Sequence, residues 1–192
     1  MYRQVKKYIN DRMPFPDDDL EKALLFSDIQ YFKKGDYILR AGEQCRFIGF
    51  LNYGLIVSTL IDETGKEIPC GFTKNDCFFT YTEGLINNAP SHKHFIALED
   101  CEMLMLQKDK LPLIFSLNPK FETLFTKMLA DDLRIALLAE QNIRICSVEE
   151  RYLHFIETFP DVFNRLPLKY IAGYLGIEPP SLSRLRKRLM KG

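Results

Sequence analysis

Apolar positions along this chain of 192 residues follow different rhythms in turn. Residues 17–31 (DDDLEKALLFSDIQY) read as a short helix, with three leading aspartates suited to its positive end. From Phe32 to Leu106, short runs of Ile, Leu, Phe, Tyr and Val are broken roughly every 7–12 residues by turn signals. These include Lys34-Gly35-Asp36, Ala41-Gly42-Glu43, Tyr53-Gly54, Glu63-Thr64-Gly65-Lys66, Lys74-Asn75-Asp76 and Asn87–Pro90. Such a succession of hairpins predicts a barrel, sandwich or jelly roll.

From Asn118 the period turns helical, with Phe121, Leu124, Phe125, Met128, Leu129, Leu133, Ala136 and Leu137 recurring mostly 3, 4 or 1 apart. No Pro or Gly interrupts the stretch after Pro119 up to Ile145. One helix of about 25 residues, roughly 38 Å long, fits it. That exceeds what a small domain needs, so the apolar stripe predicts a partner, most simply the same helix of a second subunit. The alternative is a stripe that packs only on its own β-domain. Ser147-Val148-Glu149-Glu150 has the S-x-x-E form of a capping box and starts a new helix, which runs to Thr158 and stops before Pro160.

Residues 168–188 (LKYIAGYLGIEPPSLSRLRKR) have the spacing of a helix-turn-helix. Ile171, Ala172 and Leu175 face inward on a first helix, and Gly176 ends it. Ile177 fills the gap. Pro179 and Pro180 stand where a second helix begins, a place that tolerates proline. Leu182, Leu185 and Leu189 face back, leaving Ser181, Ser183, Arg184, Lys187 and Arg188 on or near the outer side. The small Ala172 suits a close helix crossing. Two readings are open: a recognition helix that enters a DNA major groove, or a helical hairpin with a solvated basic face.

Charge changes the balance. The chain has 26 basic and 26 acidic residues, yet Ser181–Gly192 holds five basic residues (Arg184, Arg186, Lys187, Arg188, Lys191) and no acid. Positive charge thus sits where phosphates would be met. No run of about 18 apolar residues occurs and no signal-peptide stretch opens the chain, so a cytoplasmic protein without membrane contact is expected. Five scattered cysteines (Cys45, Cys70, Cys77, Cys101, Cys146) read as reduced thiols. No nucleophile–base pair, phosphate loop or paired-carboxylate motif stands out, so no enzyme is expected.

A β-roll, a long helix and a helix-turn-helix, in that order, resemble the Crp/Fnr family of bacterial transcription regulators. The resemblance is strongest over Ser147–Arg188, through Glu150-Arg151-Tyr152 and Leu175-Gly176-Ile177 with Leu182-Ser183-Arg184. Lys34-Gly35-Asp36, Gly42, Gly54 and Gly65 fall where that family's β-roll turns fall. It implies an α+β fold: a double-stranded β-helix (jelly-roll) sensor over 1–118, a dimerisation helix over 119–145, and a winged-helix-like DNA-binding domain over 146–192. The expected partners are double-stranded DNA, a second copy of the chain, a small-molecule effector and, for an activator, RNA polymerase. Arg184 matches the arginine that reads a guanine, a common bidentate pairing. Ser181 and Ser183 are candidates for base or phosphate contacts, and Lys169, Arg186, Lys187 and Arg188 for DNA contacts, mainly to phosphate. Pro179 and Pro180 depart from better-known members, so their operator is not assumed. The β-wing is expected to be short or missing.

Cyclic-AMP-binding members carry Gly-Glu on a turn and then Arg-Ser or Arg-Thr, whose arginine pairs with the cyclic phosphate. Here Phe79-Thr80 and Ser91-His92 stand at those places, making Phe79, Thr80, Tyr81, Ser91 and His92 the candidate effector pocket. A buried phosphate would lack its counter-charge, so cyclic AMP is not expected in the usual way, and no cofactor or metal is assigned. An alternative is a haem- or thiol-based sensor using Cys77, His92 or His94, with a helical domain that contacts protein.

Overall fold

The computed structural model describes residues 2–190; Lys191, counted above among the basic residues, lies outside them. The chain opens with α1 (Arg3–Arg12), whose Val5 and Ile9 point inward at i, i+4 spacing, and α2 (Asp17–Leu24), which buries Leu20, Ala23 and Leu24. The expected helix over 17–31 therefore stops at Leu24. Residues Ser27–Phe32 form strand β1 instead, because all six pair antiparallel with a strand some 75 residues later, from Ser27↔Leu106 to Phe32↔Cys101. Long-range pairing overrides local periodicity here.

The strands continue as β2 (Tyr37–Leu39), β3 (Phe47–Tyr53), β4 (Leu55–Ile61), β5 (Glu67–Lys74) and β6 (Cys77–Phe79). Helix α3 (Thr82–Asn87) follows, then β7 (Lys93–Ala97) and β8 (Cys101–Gln107). They form two four-stranded antiparallel sheets, ordered β1-β8-β3-β6 and β2-β7-β4-β5. This is the expected β-roll.

Side-chain alternation sorts the first sheet's residues. Phe47, Leu51, Met103 and Met105 point between the sheets, where they meet Ile56, Phe79, Tyr81 and Phe95. Phe50 and Leu104 point outward, into a second core shared with α1, α2 and two later helices. Those are α4 (Leu111–Leu117), reached through a short 3-10 turn, and α5 (Lys120–Ile145). The β-roll is thus filled inside and jacketed by helices outside.

Beyond α5 come α6 (Val148–Thr158), α7 (Pro160–Phe163), α8 (Leu168–Tyr174) and α9 (Pro179–Leu189). The capping box forms as read: Ser147 Oγ accepts from the Glu150 amide at 3.2 Å, and Glu150 accepts from the Ser147 amide at 2.7 Å. Among the described residues this region holds helices only. The helices bury Tyr152, Phe155, Val162, Ile171, Ala172, Leu182 and Leu185, and share this third core with Leu55, Phe72 and Leu98 of the β-roll. Phe72 is the hinge of that contact, with its ring 5.5–6.0 Å from those of Phe155, Phe159 and Tyr174.

Candidate nucleic-acid interface and effector cavity

The α8–α9 pair is built from local rules. α8 is followed, after Leu175, by Gly176, whose φ of +70° costs a glycine least. The turn is closed by the Ile177 amide donating to the Ala172 carbonyl at 3.0 Å. Glu178 is extended, and Pro179 and Pro180 take the first turn of α9 without losing an intrahelical bond. Leu182 and Leu185 anchor α9 inward, and Ala172, fully buried, lets the helices cross closely. Arg151 braces the turn by donating to the Leu175 carbonyl at 3.0 Å and the Cys146 carbonyl at 3.1 Å.

The outer face of α9 presents Ser181, Ser183, Arg184, Lys187 and Arg188, but these are not equivalent. Arg184 is exposed, and its side chain donates to Ser181 Oγ on the same helix at 3.2 Å. Lys187 is exposed as well. Arg188 instead forms an ion pair with Glu149 at the start of α6. Arg186 lies half-buried, its guanidinium 5.0 Å from the Phe163 ring centre. Lys169 is exposed on α8, 4.9 Å from the Tyr170 ring centre.

α8 also seats on the β-roll. Gly173 faces Pro69 so closely that an added Cβ would lie 2.7 Å from the proline ring. Next to it, Arg165 Nε donates to Glu99 at 2.9 Å while Nη2 donates to the Gly54 carbonyl at 3.0 Å. The Arg165 hydrogen bond holds the Glu99 carboxyl below its ordinary range.

The candidate effector residues fall into separate settings. Phe79 and Thr80 line a cavity of about 130 Å³ between the β-roll and α5, together with Tyr8, Phe125, Asp131, Asp132 and Thr82. Tyr81 is buried and donates its hydroxyl to Glu83 at 2.7 Å. Ser91 is buried too, its Oγ donating to the Lys93 carbonyl at 2.7 Å and accepting from the Lys93 amide at 3.0 Å. His92 is exposed, with its ring 6.4 Å from that of Tyr81. So Phe79 and Thr80 share a cavity wall, whereas Ser91 is occupied in shaping a turn. Missed in the sequence were Thr82, Asp131 and Asp132; the acidic pair that breaks the apolar stripe of α5 was the available signal. Thr82 Oγ1 donates to Asp132 at 2.8 Å across the cavity mouth.

The thiol and histidine candidates are spoken for in part. Burial pushes the Cys70, Cys77 and Cys101 thiols up, away from the reactive thiolate. His94 Nδ1 accepts from the Ala41 amide at 2.9 Å, and its ring stands edge-on to Tyr37.

Residues 29–116 match the model of the cyclic nucleotide-binding domain family. No curated protein matches the chain. Among solved structures, FixK2 from Bradyrhizobium japonicum is similar with a TM-score of 0.73 at 17% identity, over 86% of this chain and 85% of that one. A CooA variant from Carboxydothermus hydrogenoformans gives 0.71 at 15% identity, over 95% and 83%. The c-di-GMP-responsive regulator CLP of Xanthomonas campestris gives 0.70 at 16% identity, over 92% of each chain. Among the described residues, no helix is long and apolar enough to cross a membrane. Residues 29–116 thus form a β-roll of the cyclic nucleotide-binding-domain type, and the chain shares its fold with FixK2, CooA and CLP.

Proposed function

We propose that this chain is a homodimeric transcription regulator whose α8–turn–α9 unit is a helix-turn-helix that reads duplex DNA. The observation that carries the reading is Arg184. It stands exposed on α9, tied among the described residues only to Ser181 of its own helix, on a face whose opposite side is anchored by Leu182 and Leu185. A guanidinium held this way suits the bidentate edge of a guanine. Lys187 and Lys169 suit phosphate contacts, which position without specifying. Arg188 and Arg186 would first have to exchange Glu149 and Phe163 for phosphate.

The second subunit follows from α5. Its distal half exposes Leu133 at 61%, Ile143 at 64% and Ile145 at 80%, with Leu137 and Leu138 beside them. A stripe of that extent on a 26-residue helix favours burial against its own copy. Two recognition helices would then meet successive major grooves about one helical turn apart.

The β-roll serves as a scaffold or a sensor of something other than cyclic AMP. Its interior is filled by Phe47, Phe79, Phe95, Met103 and Met105. Where the phosphate-pairing arginine is expected stands Ser91, and the separate cavity against α5 carries Asp131 and Asp132, which repel an anion. Selection of bound duplexes from a random-sequence pool tests the proposal. A two-fold-symmetric motif, enriched equally with and without cyclic AMP, is expected; absence of any enriched motif under both conditions would overturn it.

A further inference from the structure

We propose that a second cavity, on the opposite side of the first sheet from the β-roll interior, is a binding site for a small apolar molecule. It lies between the outer face of β3 and β8 and the helical jacket, with a volume of about 90 Å³. Val5, Leu20, Ala23, Leu104, Ile114 and Leu124 are among its walls, and every one of them is buried. Ser27 supplies the only polar side chain of the lining.

Two physical points select the occupant. Protein interiors are packed as densely as organic crystals, and the walls of this partly open space lack partner atoms on one side. A water molecule needs two to four polar partners, and walls of Val, Ile, Leu, Phe and Met do not provide them, so such a space favours an uncharged apolar guest over water. Benzene enters an engineered apolar cavity of ~150 Å³. A space of about 90 Å³ suits a smaller guest, such as a dissolved gas or a short alkyl group.

The site differs from the acidic cavity in chemistry and shares with it the walls Phe125 and Met128 of α5. A guest would therefore press on the root of the helix whose far end carries the exposed apolar stripe. The inference does not depend on DNA reading, since it concerns occupancy alone.

Xenon is the probe. Titrating xenon into the full chain and following the xenon-129 chemical shift is expected to give a saturable change. Ala23→Leu, which fills the void, should abolish saturation. Should that variant fail to fold, Val5→Ile, which adds one methylene, should weaken binding severalfold. In Leu20→Ala, which enlarges the space, benzene should bind where it does not in the parent. A non-saturable shift in the parent chain, or saturation unchanged in folded Ala23→Leu or Val5→Ile, would overturn the proposal.

Discussion

Arg165 and Glu99 are 66 residues apart in sequence and joined by paired hydrogen bonds, one of them 2.9 Å long. Through them the α7–α8 connection is fastened to the loop between β7 and β8, and the Gly54 carbonyl accepts a further bond from the same guanidinium. Each partner is about one-third exposed, so solvent screens the pair and its worth is modest.

Replacing Glu99 by Gln should lower stability at neutral pH by about 1 kcal/mol after that screening. The effect has a defined pH dependence. Arg165 holds the folded-state carboxyl below its ordinary value, so the stabilisation is present above the unfolded-state value. It fades as pH falls through the lowered folded-state value. Thermal unfolding of parent and variant from pH 7 down to pH 3 should therefore show a gap that narrows in acid.

Gly173 offers a purely steric test of the same contact. Alanine there gains helix propensity but places a methyl group 2.7 Å from the Pro69 ring. The clash should dominate, costing about 1–3 kcal/mol. Chemical denaturation should report the loss, and a Gly173→Ala, Pro69→Ala double variant should recover part of it.

Leu133 and Leu137 lie one turn apart on the exposed stripe of α5. Changing both to Glu places two like charges in the proposed subunit contact. Sedimentation should show the parent as a dimer and the variant as a folded monomer with unchanged circular dichroism. A parent chain that sediments as a monomer at micromolar concentration would remove the dimer from the proposal.

The elements that could be read from sequence are those determined locally. Ser147 and Glu150 form their box because cap and partner lie three residues apart. α5 shows itself through 26 residues without an internal Pro or Gly and a mostly helical apolar period. Gly176 and the two prolines mark the turn and the start of α9. α1 is short, and Val5, Tyr8 and Ile9 are the sequence marks of its period. β1 was hidden for a different reason: its apolar residues run on from Leu24-Leu25-Phe26, and only pairing with β8 fixes it as a strand. Contacts that couple distant segments leave no local mark. Thr82 with Asp132 is one such pair, and Arg188 with Glu149 is another; the latter withdraws from the α9 surface a charge that composition alone assigns to it.

In the proposed complex with DNA, Arg184 reads a base while Lys187 meets only phosphate. Fluorescence titration of the selected duplex with the parent chain, Arg184→Ala and Lys187→Ala, at two salt concentrations, tests it most directly. Arg184→Ala should cost about 1–3 kcal/mol and lose discrimination at one guanine position of each half-site. Lys187→Ala should weaken all sequences alike and lower the salt slope by about 1. Equal affinity and unchanged sequence preference for Arg184→Ala and the parent would contradict it.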